Sequence, residues 1–309
     1  MKPLRLGTRG SALARWQADW VKARLAERGV AAELVIVKTR GDAEVDRPLQ
    51  QLEGKGFFTK EIEDALLAER IDVAVHSLKD LPTEIPAGLA LAAVPERADA
   101  GEALVVRDGK PAATGLLQLA TGSRLGTSSL RRIAQVKHLR PDLEVVALRG
   151  NVPTRVKKVK DGGQLDAALL ALAGLTRLGL GEAVAARLDP LEVMPAPGQG
   201  ALGLEIRADD YATRAALRPL EHAESAQAVA AERALLGELD SGCQAAVAAY
   251  TGHRATGNLQ RVLYGRVTAP DGAIQLTASA EIDPADPGDA GVNVARLLLA
   301  QGAASLLAR

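Results

Sequence analysis

Between residues 71 and 83 the chain reads Ile71-Asp72-Val73-Ala74-Val75-His76-Ser77-Leu78-Lys79-Asp80-Leu81-Pro82-Thr83, and this stretch restricts the fold more than any other. Val73, Ala74 and Val75 form the short apolar run of a covered parallel strand. Pro82 then blocks continuation as strand or helix. His76, Ser77, Lys79 and Asp80 are therefore expected at the carboxyl end of a buried strand, the edge where open α/β sheets receive ligands. On these four residues alone a solvated corner with a core histidine is the favoured reading, and an active site the sharper one.

A chain of 309 residues is too long for one average core, so two or three domains are expected. Aromatic residues make up only 2%, which leaves Ala, Leu and Val to fill those cores. Lys plus Arg equals Asp plus Glu at 38 each, so no global field draws nucleic acid or an anionic membrane, and any anion site must be local. The single cysteine, Cys243, excludes an intramolecular disulfide and agrees with a reducing cytosol. Charges at Lys2, Arg5 and Arg9 interrupt any apolar signal region. The longest apolar run, Ala167 to Leu175, is about half a bilayer crossing. A cytoplasmic chain without a membrane span is expected.

Taken in order, Leu4 to Thr8 reads as a strand, Ser11 to Arg28 as a helix capped by Ser11 and stopped by Gly29, and Ala32 to Lys38 as a second strand. Gly54-Lys55-Gly56-Phe57-Phe58 leads into a helix from Thr59 to Glu69. The central strand and then Leu89 to Val94 complete a β-α-β-α-β order, which implies a mostly parallel sheet. Pro95 to Glu102 reads as a domain crossing, and a second α/β unit starts at Ala103. Met194 to Gly200 is a Pro/Gly linker before the strand Ala201 to Ile206, which fits a return to the first domain. Two adjacent crossings make a hinge, as in two-lobed ligand-binding folds. After Pro219 come a helix from Ala223 to Leu239, three strand-like runs, a polar loop from Pro284 to Gly291 and a last helix from Gly291 to Leu307, an α+β texture. The expected domains are 1–98 with 199–218, 99–198, and 219–309.

In Gly126-Thr127-Ser128-Ser129-Leu130-Arg131-Arg132, hydroxyl residues open a helix whose free N–H groups suit an anion. Two arginines in that first turn oppose the helix dipole, which makes sense if they serve a ligand. Arg9, Arg131, Arg132, Arg149, Arg155 and Arg177 all fall near expected strand ends or helix starts, with few acids adjacent. A cleft lined in this way holds carboxylates or phosphates. His76, His138, His222 and His253 lack short-spaced partners, so no metal is expected. Phosphate-loop and dinucleotide fingerprints are absent. Cys243, in Ser241-Gly242-Cys243-Gln244, has the setting of an accessible thiol.

Together with Leu6-Gly7-Thr8-Arg9-Gly10-Ser11, Arg149-Gly150-Asn151-Val152 and Pro197-Gly198-Gln199-Gly200, these motifs closely resemble the porphobilinogen deaminase family over nearly the whole chain. The resemblance implies two periplasmic-binding-protein-like α/β domains and a small α+β domain whose cysteine, Cys243, carries a covalent dipyrromethane. It implies a monomeric transferase that condenses porphobilinogen stepwise into hydroxymethylbilane, with loss of ammonia. Carried over by position, Asp80 is the catalytic residue. Lys79, Arg131, Arg132 and Arg155 hold the cofactor's acid groups, with Gly150, Thr127, Ser128 and Ser129 beside them. Arg9, Ser11, Arg149 and Arg177 serve the substrate, Lys55 belongs to a mobile loop, and Phe58 stacks near the rings. A non-catalytic two-lobed carboxylate-binding module, or a transferase using Cys243 only transiently, would be the alternatives.

Overall fold

The computed structural model describes residues 2–39, 59–107, 118–239, 246–253 and 260–307. In chain order it opens with β1 (Leu4–Thr8), α1 (Ala12–Ala26), β2 (Ala32–Ile36), α2 (Lys60–Leu67), β3 (Val73–Ser77) and β4 (Leu89–Ala93). Next come β5 (Glu102–Val106), β6 (Arg124–Gly126), α3 (Leu130–Leu139), β7 (Glu144–Val146), α4 (Val152–Lys160), β8 (Ala167–Ala171), α5 (Leu172–Arg177) and β9 (Ala186–Arg187). The chain then runs through β10 (Leu202–Arg207), α6 (Tyr211–Leu217), α7 (Ala223–Glu238), β11 (Val247–His253), β12 (Arg261–Thr268), β13 (Gln275–Glu281), α8 (Pro287–Ala300) and α9 (Ala304–Leu307). It divides into two compact units, Met1–Ala98 with Gly200–Ala226, and Asp99–Gln199 with Gln227–Arg309.

In the first unit the strand order is β2-β1-β3-β10-β4. β1 pairs parallel with β2 and β3, while β10 runs antiparallel to both β3 and β4. Side chains alternate across a strand, so β3 serves two cores at once. Val73 and Val75 pack with Val21 and Leu25 of α1, and Ala74 packs with Ile62, Ala65 and Leu66 of α2. Helices on both faces explain why β3 is apolar throughout until His76. Helix α1 starts where the Ser11 hydroxyl accepts from Ala14 N at 3.3 Å.

The α/β sheet of the second unit runs β7-β6-β8-β5-β9. β6 is parallel to β7 and β8, whereas β5 is antiparallel to β8 and β9. Its two faces bury separate cores, Leu104, Leu125 and Leu169 on one and Ala103, Val105 and Leu170 on the other. The same unit contains the antiparallel sheet β11-β12-β13. Leu235 of α7 and Val294 and Leu298 of α8 pack on it around Leu263. Arg266 of β12 fastens this sheet to the α/β part. It donates to Gln135 Oε1 on α3 at 2.9 Å, to Glu192 O at 3.0 Å and to Leu191 O at 2.7 Å. Burial lowers the pKa of this guanidinium.

Two sequence expectations change. The sheets are mixed, because β10 enters the first from a crossing segment and β5 leads the second, each in a central antiparallel position. The last helix begins earlier than Gly291 and is interrupted. Asp286 accepts from Asp289 N at 3.3 Å, and Pro287 stands in the first turn, where its missing N–H costs nothing. Gly302, at φ +97°, then separates α8 from α9. Among the described residues no helix is long and apolar enough to cross a membrane.

Candidate active site

The parallel strands β2, β1 and β3 bring their carboxyl ends to one edge of the first unit. There a small pocket of about 30 Å³ is lined by Arg9, Gln17, Thr59, His76, Ser77 and Asp80, among others. Asp80 ends a 3₁₀ turn, Leu78–Asp80, that follows β3 directly. The turn is anchored from below, since Leu78 is buried and its N–H donates to Ala201 O at 3.0 Å. Lys79 and Asp80 are left exposed. Gln17 of α1 fixes the strand end by donating from Nε2 to Ser77 Oγ at 2.8 Å.

His76 is the interior member of this corner. Its Nε2 lies 2.9 Å from Glu205 Oε2 on β10. The two are diagonal neighbours across the antiparallel pair, where His76 faces Gly203 and Ala74 faces Glu205. Sequence reasoning did not single out this partner, a lone acid within the apolar strand Leu202-Gly203-Leu204-Glu205-Ile206. Glu63 of α2 is buried nearby, and its pKa is raised, chiefly by burial, with Thr59 opposing the shift and Glu205 adding to it. The folded chain therefore keeps a proton that the unfolded chain releases above its ordinary value of 4.5. Stability contributed by this group falls as pH rises from that value through the folded one. Glu63→Gln, which mimics the protonated carboxyl, is expected to raise the melting temperature at pH 7 and to change it little at pH 4. Equal melting curves of the two proteins at pH 7 would contradict this.

The second unit repeats the construction with cations. β7, β6 and β8 are parallel neighbours, so the segments following them share one edge. After β6, the Ser129 hydroxyl caps α3 by accepting from Arg132 N at 3.5 Å, and Thr127 Oγ1 accepts from Ser129 N at 3.3 Å. After β7 come Arg149 and Gly150. Gly150 sits at φ +115°, where a Cβ would meet Thr154 Cγ2 at 2.9 Å, and its carbonyl accepts from Arg155 Nε at 2.7 Å. One Arg149 nitrogen, Nη1, is buried without a hydrogen-bond partner among the described residues. After β8, Arg177 ends α5, and burial pulls its pKa down to about 10.

Arg131 and Arg132 require a correction, because a reading with few acids nearby does not hold for them. Both are buried around Glu102 at the start of β5. Arg131 Nη2 donates to Glu102 Oε1 at 2.6 Å, and its Nη1 donates to Met194 O at 2.5 Å. Arg132 forks onto the same carboxylate through Nε at 3.1 Å and Nη2 at 2.7 Å, and donates through Nη1 to Leu169 O at 3.1 Å. Arginines in a helix's first turn are thus offset by an acid from a neighbouring strand. Burial lowers the pKa of Arg131, and Glu102 opposes that shift. One carboxylate faces two guanidinium groups, so the cluster carries an excess positive charge that suits an additional anion. Ser128 is also committed internally. Its hydroxyl donates to Leu148 O at 3.1 Å and accepts from Leu148 N at 3.0 Å. Lys55, Phe58 and Cys243 lie outside the described residues.

An α/β fold with a carboxylate pocket at one parallel-strand edge, and an arginine-rich, hydroxyl-capped edge at another, defines a protein built for small molecules bearing acid groups. Residues 4–215 match the family model described as porphobilinogen deaminase, dipyromethane cofactor binding domain. Residues 226–300 match its C-terminal domain. The chain belongs to the porphobilinogen deaminase family. A porphobilinogen deaminase of Trichlorobacter lovleyi is 47% identical over 308 residues, covering 99% of this chain and 96% of that one. That of Geobacter metallireducens is 46% identical over 312 residues, covering 99% and 94%. Among solved structures, a periplasmic substrate-binding protein from Coxiella burnetii aligns with TM-score 0.44 at 13% identity, over 74% of this chain and 96% of that one.

Proposed function

We propose that the chain is a hydroxymethylbilane synthase: a transferase that condenses porphobilinogen head to tail, releases ammonia at each step and works on a dipyrromethane held through Cys243. The observation that carries this reading is the Asp80 pocket, set in a chain that matches the family over nearly its full length. The three domains 1–98 with 199–218, 99–198 and 219–309, a monomer and a cytoplasmic location belong to the same reading. A binding module without catalysis is not favoured by family membership.

The residues of the second unit suit a group rich in carboxylates. Among the described residues, Arg149 Nη1 is buried without a hydrogen-bond partner, and Arg131 and Arg132 share the single carboxylate of Glu102. Arg131, Arg132 and Arg155, with Lys79, would hold the dipyrromethane's acid groups beside Gly150, Thr127, Ser128 and Ser129. Through Ser128 and Ser129 the contribution would come chiefly from the backbone geometry that their hydroxyls fix. Arg9, Ser11, Arg149 and Arg177 would orient the incoming substrate, and Lys55 and Phe58, which lie outside the described residues, belong to the same reading. When bound, the dipyrromethane supplies the ring on which the chain grows.

Asp80 does the electrostatic work. Breaking the substrate's C–N bond sends the electron pair out with nitrogen and leaves positive charge on the pyrrole. A fixed carboxylate favours that charge over the neutral ground state, which lowers the barrier. The cofactor assignment is tested by intact-protein mass. Active protein is expected to exceed its sequence mass by two condensed pyrrole units on the peptide containing Cys243. Active protein of unmodified mass would overturn it.

A further inference from the structure

Behind the Asp80 pocket lies a group of titratable side chains for which the chemistry above has no task. His76 and Glu205 have side-chain exposures of 3% and 0%. Glu63 is buried beside them, and its pKa is raised by burial, with Glu205 adding to the shift and His76 opposing it. Among the described residues, Glu63 Oε1 and Glu205 Oε1 are each buried without a hydrogen-bond partner. Two orphaned carboxyl oxygens in one cluster are an unusual outcome for a purely structural pair, because buried polar atoms are nearly always matched. Among the described residues, the charged groups near the cluster include Arg9 at the end of β1, Asp80 in the turn after β3, and Asp64 on α2. His76 and Asp80 line the same pocket.

The reaction has a use for such a group. Each condensation breaks one C–N bond and forms one C–C bond. The amine takes up a proton to depart as ammonia, and the attacked ring carbon gives one up only after the new bond exists. The two protons balance over the cycle, with no other reactant, but they move at different times. Something must supply the first and recover the second.

We propose that Glu63, His76 and Glu205 form a buried proton store that serves Asp80, supplying a proton as ammonia departs and recovering it from the newly joined ring. This rests on the reading of Asp80 given above. The three are positioning and proton-holding residues acting through Asp80, and none is required to touch substrate. Burial raises the pKa of Glu63, so it holds its proton to a higher pH than an exposed carboxyl does.

The decisive variant is Glu63→Gln in the cofactor-loaded enzyme, because the same change is expected to strengthen the fold. A proton store predicts a kcat roughly tenfold lower, with KM for porphobilinogen within about threefold, a larger solvent deuterium isotope effect on kcat and a higher melting temperature. Glu205→Gln should reduce kcat further, and Glu205→Asp should restore part of it. A wild-type kcat and isotope effect in both Gln variants, with Asp80→Asn inactive, would overturn the store and leave the Asp80 reading standing. An active Asp80→Asn would instead overturn the reading on which the store rests. If Glu205→Gln does not fold, ring-¹⁵N histidine spectra of the wild-type holoenzyme decide. The His76 Nε2 resonance should move when porphobilinogen is added, and an unmoved resonance during turnover would overturn the store.

Discussion

Asp80→Asn is expected to lower single-turnover condensation by at least about 100-fold, the scale seen when one preorganised electrostatic group is removed from a catalytic site. Folding should survive, because the side chain is exposed and its turn is held by Leu78, whose N–H donates to Ala201 O at 3.0 Å. The amide keeps the shape and one acceptor oxygen but carries no charge. The loss should therefore fall on kcat, with KM nearly unchanged, since the charge it would balance appears only as ammonia departs. Asp80→Glu keeps the charge at the wrong distance and should retain a small residue of activity. Rapid-quench assays on cofactor-loaded protein check this, and a condensation rate for Asp80→Asn close to wild type would show that another group stabilises the cation.

The Asp80 corner was legible because its signals are local. An apolar strand, a polar exit and Pro82 occupy thirteen consecutive positions, and each constrains the backbone without help from elsewhere. The cap at Ser11 was legible for the same reason. What the sequence did not disclose were the pairings that sheet topology creates. Glu102 meets Arg131 and Arg132 across 29 and 30 residues, and His76 meets Glu205 across 129. In both cases an acid on an antiparallel strand is brought to the carboxyl end of a parallel one. That geometry depends on where β5 and β10 insert, which no short pattern specifies. The start of α8 was missed for a local reason, since Asp286-Pro287-Gly288-Asp289 has loop composition yet makes a capped first turn.

Glu102→Gln is expected to be the most damaging single change to the second unit. The carboxylate is fully buried and receives three charge-assisted hydrogen bonds, one from Arg131 and two from Arg132. Replacing it leaves two guanidinium groups buried within one cluster, with mutual repulsion and neutral acceptors that include Met194 O and Leu169 O. Removing one partner of a buried ion pair typically costs about 3–5 kcal/mol, far more than the pair contributes relative to an apolar replacement. The damage should also reach the edge proposed to hold the cofactor's acid groups, because Arg131 and Arg132 lie in the first turn of α3, directly after its Ser129 cap. Denaturant unfolding of the wild type and Glu102→Gln gives the comparison. A triple replacement, Glu102→Leu with Arg131→Met and Arg132→Met, separates charge from packing. It should recover most of the lost stability while abolishing assembly of the cofactor, the outcome expected if these arginines are kept for the anion they still lack. A Glu102→Gln protein as stable as wild type would show that the two guanidinium groups are neutralised by something other than Glu102.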